Sequence, residues 1–499
     1  MHLYRLGLWR RGTHDAFVRR MTQRFRRSMF LAATLLATST AAIAQPKAPA
    51  PAPPTKPAAP QPAEDTFEKD LDALFSEGGL TADQAAARSV KSSPTVRRSV
   101  ADIEVAIAQA EQAELSRVPR IGASFTYTRL SDVDSALVIP GGGSFEFPVF
   151  LNTYSADANI NINLSDYVVR YPKLIAAARL GEEVARVSRR SSEVNVGQDA
   201  RIAYYEWVRS KLQVLIAQRQ LAQVQSTLGQ IRALADAQRV SRADLMRVES
   251  NEAVAEQTLT QLTLLQQLRE EQLRILIDEP AGTPLSIGED IRKDLAAPTA
   301  SPIDDAMKTA RQQRLDFKVL DTGIQAKEKQ RSAEKASNYP KLTGFASAQY
   351  SNPNQRFFGN SDAEFNFSWA AGLQLSWTLN DTLFAKTTDH RLRGETDALR
   401  ADRENLDRGA RVQIIAAQQA IENASKALTT SQKGLAAAEE GYRVRRELLN
   451  AERATAVELV DAETDLTRAR ITALNARVDL RVAITQLQHA IGNDTTTAK

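Results

Sequence analysis

Four segments of the chain alternate apolar with polar residues. The clearest spans residues 154–164, where Tyr, Ala, Ile and Leu on one face oppose Ser, Asp and Asn on the other. A period of two is typical of a β-strand, so the pattern predicts two β-hairpins, 121–164 and 342–379, each with a long loop. The predicted strands are 121–129, 154–164, 342–350 and 367–379.

Helical periodicity replaces the alternation after each hairpin. Residues 167–235 and 382–450 keep a 3-4 spacing of apolar residues, and each would be roughly 100 Å long as one helix. The spacing is that of a left-handed coiled-coil seam, in which alternating large and small residues favour closely packed helices. The seam residues include Ala203, Trp207, Ser210, Val214 and Ala217, then Ile414, Ala417, Ile421 and Ala424, and on the returning helix Leu466, Ala469, Ala473 and Ala476.

The same order of elements occurs twice. A helix ends near a proline, Pro119 or Pro340, and a hairpin, a long helix, a tip and a returning helix follow. The tip segment "AQRVSRADLMRVES" is echoed later by "AERATAVELVDAET". We predict a first repeat at 65–282 with its tip at 237–244, a connection at 283–302, a second repeat at 303–492 with its tip at 450–458, and a disordered C-terminus at 493–499.

The predicted strands have the length that crosses an outer membrane when tilted. A half-buried strand of a soluble sheet is the ordinary alternative, but the chain offers no spare apolar surface to cover these faces, so lipid is the expected partner. Four strands cannot close a membrane barrel, which needs about eight, so the strand count predicts an oligomer.

The N-terminus has the pattern of an export signal. "RFRRSMFLAATLLATSTAAIA" joins a basic start to a short apolar run and an Ala-Ile-Ala site, which predicts a signal peptide at 1–44 cleaved after Ala44. A membrane anchor and a twin-arginine signal are the alternatives, and translation from Met21 would give a leader of ordinary length. Residues 45–64 are rich in Pro and Ala and predict an extended linker.

Charge and chemistry narrow the function classes. Eight arginines and one acid lie in residues 1–44, so the formal charge of +4 becomes about −3 once this segment is removed, which argues against a nucleic-acid partner. The chain has no cysteine, and its mature part has two histidines, His390 and His489, far apart on predicted helices. Because no phosphate-binding, zinc-hydrolase or nucleophile motif occurs, we predict a non-enzyme without cofactor or metal.

Each tip carries a hydroxyl residue three positions before an acid, Ser241 before Asp244 and Thr455 before Glu458. This spacing is typical of a helix N-terminus, where the hydroxyl accepts a free N–H, and helix capping alone would explain both acids. Asp461 lies beyond the cap, where the first copy has Arg247, so the two tips differ in charge.

Several segments carry a family resemblance: "SSPTVRRSVADIEVAIAQA", "VPRIGASFTY", "YPKLTGFASAQYS", "LSWTLND" and "EGYRVRRELL…TAVELVDAETDLTRAR". With the repeat, they make residues 65–492 similar to the TolC family of outer-membrane efflux proteins. The resemblance implies a mainly α fold with a small transmembrane β part. In it, three chains form a periplasmic α-barrel of long coiled-coil helices and give four strands each to a shared twelve-stranded β-barrel.

The resemblance also implies a site and partners. Glu458 and Asp461 match the acidic pair that lines the periplasmic aperture, Tyr442 and Asp244 match residues that hold it closed, and Arg453 lies one place from the expected arginine. The chain lacks the glycine that the family often has at the tips, and has about two extra residues between Tyr442 and Thr455. The implied partners are two further copies of the chain, a periplasmic adaptor, an inner-membrane transporter and outer-membrane lipid.

These observations predict a passive duct in the outer membrane that extends into the periplasm. It would be gated at its helical tip and would serve a tripartite efflux pump or type I secretion. The alternative is a non-conducting coiled-coil scaffold or adhesin anchored in the outer membrane. That alternative fits less well, because paired helices flank internal hairpins twice.

Overall fold

The computed structural model describes residues 64–132, 136–138, 140–142, 144–146, 150–293, 295, 298, 301–354, 356, 364–451 and 453–494. The predicted signal peptide, the predicted linker up to residue 63, and residues 495–499 of the predicted disordered C-terminus lie outside these ranges.

Helices dominate the described residues. They are α1 Glu64–Leu74, α2 Ala82–Ser92, α3 Pro94–Leu115, α4 Leu164–Val169, α5 Tyr171–Asp236, α6 Arg242–Ile277, α7 Ile303–Gln313, α8 Leu315–Glu334, α9 Leu379–Asn450 and α10 Ala456–Ile491. A short 3₁₀ helix, Lys335–Asn338, follows α8. The two longest helices, α5 and α9, have 66 and 72 residues and bury the predicted seam residues Trp207, Ile414 and Ile421. None of the helices within the described ranges has both the length and the hydrophobicity needed to span a membrane.

Seven strands accompany the helices in the described part of the chain. They are β1 Phe75–Leu80, β2 Arg120–Arg129, β3 Ala136–Val138, β4 Ser144–Glu146, β5 Asn152–Asn163, β6 Lys341–Asn352 and β7 Asn366–Ser376. Four of them form one antiparallel sheet in the order β2-β5-β6-β7, so the hairpins of the two repeats pair with each other through β5 and β6.

The register places most apolar residues of the four strands on one face of this sheet, with Phe345 of β6 on the other. Ala123 opposes Ala158, Ala158 opposes Ala348, and Ala348 opposes Trp369. Ile121 and Phe125 on the same face of β2 are 74% and 72% exposed, and no other described part of the chain covers them. The predicted fold class, mainly helical with a small β part, is confirmed.

Some predicted boundaries were wrong. Leu164 and Leu379 were placed at the ends of strands, but they are the first residues of α4 and α9. A single apolar residue in phase with the strand cannot mark where the helix begins. The first hairpin's loop contains the small β3–β4 hairpin, which was expected to be irregular. The helix predicted from Ile303 is interrupted at Arg314, whose backbone is extended, as Ser93-Pro94 interrupts the first-repeat helix.

An unpredicted contact joins β1 to the connection between the repeats. Leu80 donates its N–H to the Ser286 carbonyl, and the Gly288 N–H donates back to the Leu80 carbonyl at 2.8 Å. A Cβ on Gly288 would lie 2.1 Å from the Gly79 carbonyl oxygen, so the two backbones can approach this closely only because both residues are glycine. β1 is thus a strand in addition to the four that the sequence predicted.

Buried apolar residues gather in separate clusters along the long helices. The cluster around Trp207 packs α5 against α2, α6, α10 and the connection between the repeats. Another cluster, which we call the tip core, lies where the helix pairs turn. It consists of Leu228, Ile231, Val248, Leu449, Ala456, Leu459 and Val460. The tip core draws residues from both repeats and fixes the two turns next to each other.

Candidate functional site at the helical tip

The tips are the short turns from α5 to α6 and from α9 to α10. Each returning helix starts with a side-chain cap: Ser241 Oγ accepts the Asp244 N–H at 3.1 Å, and Thr455 Oγ1 accepts the Glu458 N–H at 3.3 Å. These caps satisfy N–H groups that a helix start leaves open, and each acid lies at the positive end of its helix. The hydroxyl-acid spacing thus has a structural role in both tips.

Glu458 and Asp461, the predicted acidic pair, lie on the first turns of α10, where Glu458 is partly buried and Asp461 is exposed. The Glu458 carboxylate accepts from Arg445 of α9, and Asp461 pairs with Arg247 of α6 at 3.4 Å. The Arg247–Asp461 pair joins the two tips across positions where the repeats carry opposite charges. Exposed pairs of this kind contribute about 0–1 kcal/mol, so a modest competing force can separate them.

The three predicted gate-closing residues occupy different surroundings. Tyr442 packs on the tip core with the Arg446 guanidinium 5.6 Å from its ring centre. Asp244 accepts a hydrogen bond from Ser241 Oγ at 2.7 Å, and the backbone N–H of Arg453 donates to the Leu448 carbonyl. Among the described residues, no hydrogen bond or ion pair links Tyr442, Asp244 and Arg453 within one chain.

Burial raises the pKa of the Tyr442 phenol, and the charge of nearby Glu463 raises it further. Tyr442 therefore stays neutral and can donate a hydrogen bond throughout the physiological range.

Glu463 is the tip residue that the sequence analysis missed. It lies on α10, is 3% exposed, and accepts from Thr227 Oγ1 of α5 at 2.6 Å. Its second oxygen, Oε2, is buried and accepts no hydrogen bond from the described residues. Glu249, the corresponding residue of the first repeat, is partly exposed and pairs with Arg232 at 3.0 Å. The sequence position of Glu463 could have indicated burial, because Glu463 lies three residues before the seam residue Leu466 and so falls on the apolar face of the helix.

Neither histidine of the described part forms a catalytic arrangement. His489 Nδ1 lies 3.1 Å from Asp494 at the end of α10, and His390 is exposed on α9. Within the described ranges, no group of three or more acidic or histidine side chains is arranged to hold a metal ion.

The chain combines a mainly helical fold with a four-stranded sheet that exposes an apolar face, and with helical tips capped by Ser241 and Thr455. Residues 306–493 match the family model described as outer membrane efflux protein. Within this range, the family predicted from the sequence is confirmed. The curated proteins contain no match to the chain.

Solved structures share the fold. The CmeC outer membrane channel of Campylobacter jejuni is 13% identical with a TM-score of 0.69, and the match covers 86% of this chain and 89% of CmeC. The open-state MtrE channel of Neisseria gonorrhoeae is 18% identical with a TM-score of 0.67, over 83% and 91%. VceC of Vibrio cholerae is 15% identical with a TM-score of 0.67, over 86% and 97%.

These structural matches establish the fold, and the family match extends over most of the second repeat. The predicted outer-membrane location and the predicted efflux-channel function are confirmed at the level of the family, which favours the channel over the scaffold or adhesin. The family is one of efflux channels rather than enzymes.

Proposed function

We infer that three copies of this chain form the exit duct of a tripartite efflux or secretion machine, gated at the helical tip. Substrate would pass from a periplasmic adaptor and an inner-membrane transporter through the helical part and out through a shared β-barrel. The transport step is passive, because the duct supplies a path and a gate rather than energy.

The observation that carries this proposal is the sheet. Its apolar face is exposed on all four strands, with Trp369 66% and Leu373 69% exposed, and β2 and β7 have free edges. A free strand edge needs a pairing partner in a membrane, where water cannot satisfy its N–H and C=O groups. Pairing of β7 with β2 of another copy would satisfy both edges, and lipid would cover the apolar face.

The tip supports gating. Three chains would bring Glu458 and Asp461 together as six carboxylates around one opening. Mutual repulsion of these charges favours an open tip, and their negative potential favours the passage of cations. The pairs with Arg445 and Arg247 oppose the repulsion as long as the tip stays closed.

Conductance in planar bilayers tests the duct. Purified protein should form ion-conducting pores, whereas a scaffold or adhesin should not conduct. Chemical cross-linking before reconstitution should trap a trimer.

Ion selectivity tests the acidic ring. In the double variant Glu458→Ala/Asp461→Ala, the cation preference of the pore should fall, because the charge at its narrowest part is removed. Asp465→Ala is the matched control, since Asp465 is exposed on the same helix and pairs locally with Arg468. An unchanged cation preference in the double variant would exclude the ring as the selectivity element.

A further inference from the structure

Glu463 has surroundings that do not suit a carboxylate ion. It lies between α10 and α5, and its described hydrogen bonds come from Thr227 at 2.6 Å and Gln223 at 3.5 Å, both neutral. No described Arg, Lys or His forms an ion pair with it. A buried charge without a counter-ion is costly, so the neutral carboxyl is the form that this closed packing favours.

The charged and titratable groups around Glu463 are engaged elsewhere. From α9, Tyr442 faces it with Arg446 over its ring, and from α6 Arg247 pairs with Asp461. On α10 itself, Arg470 interacts electrostatically with Tyr442. From the described part of α5, Thr227 and Gln223 hydrogen-bond to Glu463. Burial raises the pKa of Glu463, and the hydrogen bonds from these two residues oppose the rise.

The Thr227–Glu463 contact lies where it can hold the two tip hairpins together. α5 belongs to the first tip hairpin and α10 to the second, so the Thr227–Glu463 bond crosses from one repeat to the other next to the tip core. Further from the tip, the same seam is joined by Gln213–Asn475 and Arg209–Asp479. Any movement that separates the two hairpins at the tip must break the Glu463 contact.

We propose that Glu463 is a proton-operated lock on the seam between the two tip hairpins: the neutral carboxyl holds α10 against α5, and its ionisation favours the separated, open tip. This lock rests on the proposed function, in which the tip is the gate. It predicts closure in acid and opening as the pH rises on the tip side.

The sign follows from proton linkage. The closed seam raises the affinity of Glu463 for its proton, so closure is most favoured below the ordinary carboxyl pKa and is weakened as the pH rises toward the pKa in the closed seam. Between the ordinary carboxyl pKa and the raised pKa of Glu463 in the closed seam, the closed-to-open ratio of each chain falls by up to about tenfold for each unit that the pH rises.

The first test is conductance of the full-length protein in bilayers, with the tip-side pH varied from acid to alkaline. Because Glu458 and Asp461 are further carboxyl groups at the tip, the series uses the neutral background Glu458→Gln/Asp461→Asn. Conductance of this background should rise with pH. Adding Glu463→Gln should hold it at the low-pH level throughout, since Gln is a neutral isostere that can keep the Thr227 bond.

Two further variants separate a proton lock from a packing role. Glu249→Gln changes the equivalent residue of the first repeat, which is paired with Arg232, and should leave the pH response intact. Thr227→Val removes a hydrogen bond that favours the ionised form, so it should move the midpoint to higher pH, whereas a loss of packing would change conductance at every pH. A pH response that survives Glu463→Gln would overturn the proposal.

Hydrogen exchange of the same proteins tests the lock without requiring conduction. After correction for intrinsic rates, α5 and α10 amides near residues 227 and 463 should be less protected at high pH in the parent and equally protected at both pH values in Glu463→Gln. If the protein does not conduct, the proposed duct function is wrong, but the hydrogen-exchange result still tests whether Glu463 acts as a lock. Identical exchange changes in both proteins would overturn the lock even if the protein conducts.

Discussion

The two repeats share one order of elements but are held together by different chemistry. In the first repeat, α5 packs through apolar and aromatic side chains around Trp207 and through the close backbone approach at Gly288. In the second, α9 packs on α7 and α8 through an apolar cluster that includes Met307, Phe317 and Ile414, and a row of ion pairs, which we call the ion-pair ladder, adds to this contact. The ladder consists of Arg411–Asp304, Arg311–Asp407, Asp321–Arg403, Lys327–Glu395, Glu328–Arg400 and Arg331–Asp389.

A duplicated backbone therefore does not require duplicated interactions. Among the described residues, two ion pairs join α5 to α2 and α3, the counterparts of α7 and α8: Arg201–Asp83 and Arg179–Glu114. In both repeats the distance between helices is set by the seam, in which large and small side chains alternate. Helix positions outside the seam can therefore carry either apolar or charged side chains.

The ion-pair ladder and the Glu463 contact respond to pH in opposite directions. Hydrogen bonds from Arg311 and Arg331 lower the pKa of Asp407 and Asp389, so these two pairs of the ladder are stabilising above the ordinary carboxyl pKa and are lost as the pH falls through the lowered values. The Glu463 contact is strongest in acid. Acid should therefore loosen the helix pairs of the second repeat far from the tip while tightening the seam at the tip.

The largest effect is expected from Trp207→Ala in the first repeat. Trp207 is fully buried, so its removal should cost about 3–5 kcal/mol in the free energy of unfolding through lost burial and a cavity. Thermal unfolding in detergent, followed by far-UV circular dichroism, measures the loss. The control is Trp369→Ala, which removes the same side chain from an exposed position on the sheet and should leave helix unfolding nearly unchanged.

Gly288→Ala tests the close backbone approach of the first repeat. The added methyl would clash with the backbone of Gly79, which cannot move without breaking the β1 contact, so a loss of about 1–3 kcal/mol is expected. Gly434→Ala on α9 is the matched control. Its Cβ would meet no atom within 4 Å, and Ala suits a helix better than Gly by up to about 1 kcal/mol. Equal melting temperatures for the two variants would contradict the role of Gly288.

The smallest effect is expected from Asp407→Asn in the ion-pair ladder. The pair with Arg311 is partly exposed, so its loss should cost no more than about 1 kcal/mol and should shrink in high salt. Asp402→Asn, an exposed change on the same helix, is the control. If salt lowers the melting temperature of the parent and of Asp407→Asn equally, this pair does not contribute to stability.

Much of the fold was accessible from sequence because it depends on periodicity. The alternation at 154–164 and the 3-4 spacing on α5 and α9 are local patterns that report which face is apolar. The second-repeat break at Arg314 and the helix starts at Leu164 and Leu379 were missed, because an extended residue inside an amphipathic pattern leaves no trace in the pattern.

At the tip, too, contacts between residues close in sequence were predictable, whereas contacts between the two repeats were not. The caps at Ser241 and Thr455 were accessible from sequence, because a hydroxyl and an acid three residues apart interact within one helical turn. The pairing of Arg247 with Asp461 was not, because the two residues come from different repeats and meet only when the hairpins pack together.

The repeat, the helix and strand types, the caps and the apolar faces were accessible from the sequence, because each follows from neighbours along the chain. Which acids are exposed and which are buried depended on how distant helices pack. Glu249 and Glu463 occupy equivalent places in the two repeats, yet Glu249 is partly exposed and pairs with Arg232, whereas Glu463 is buried against α5. Its burial depends on a helix more than two hundred residues away in sequence, and no cation of the described residues forms an ion pair with it. These two properties give Glu463 its proposed role.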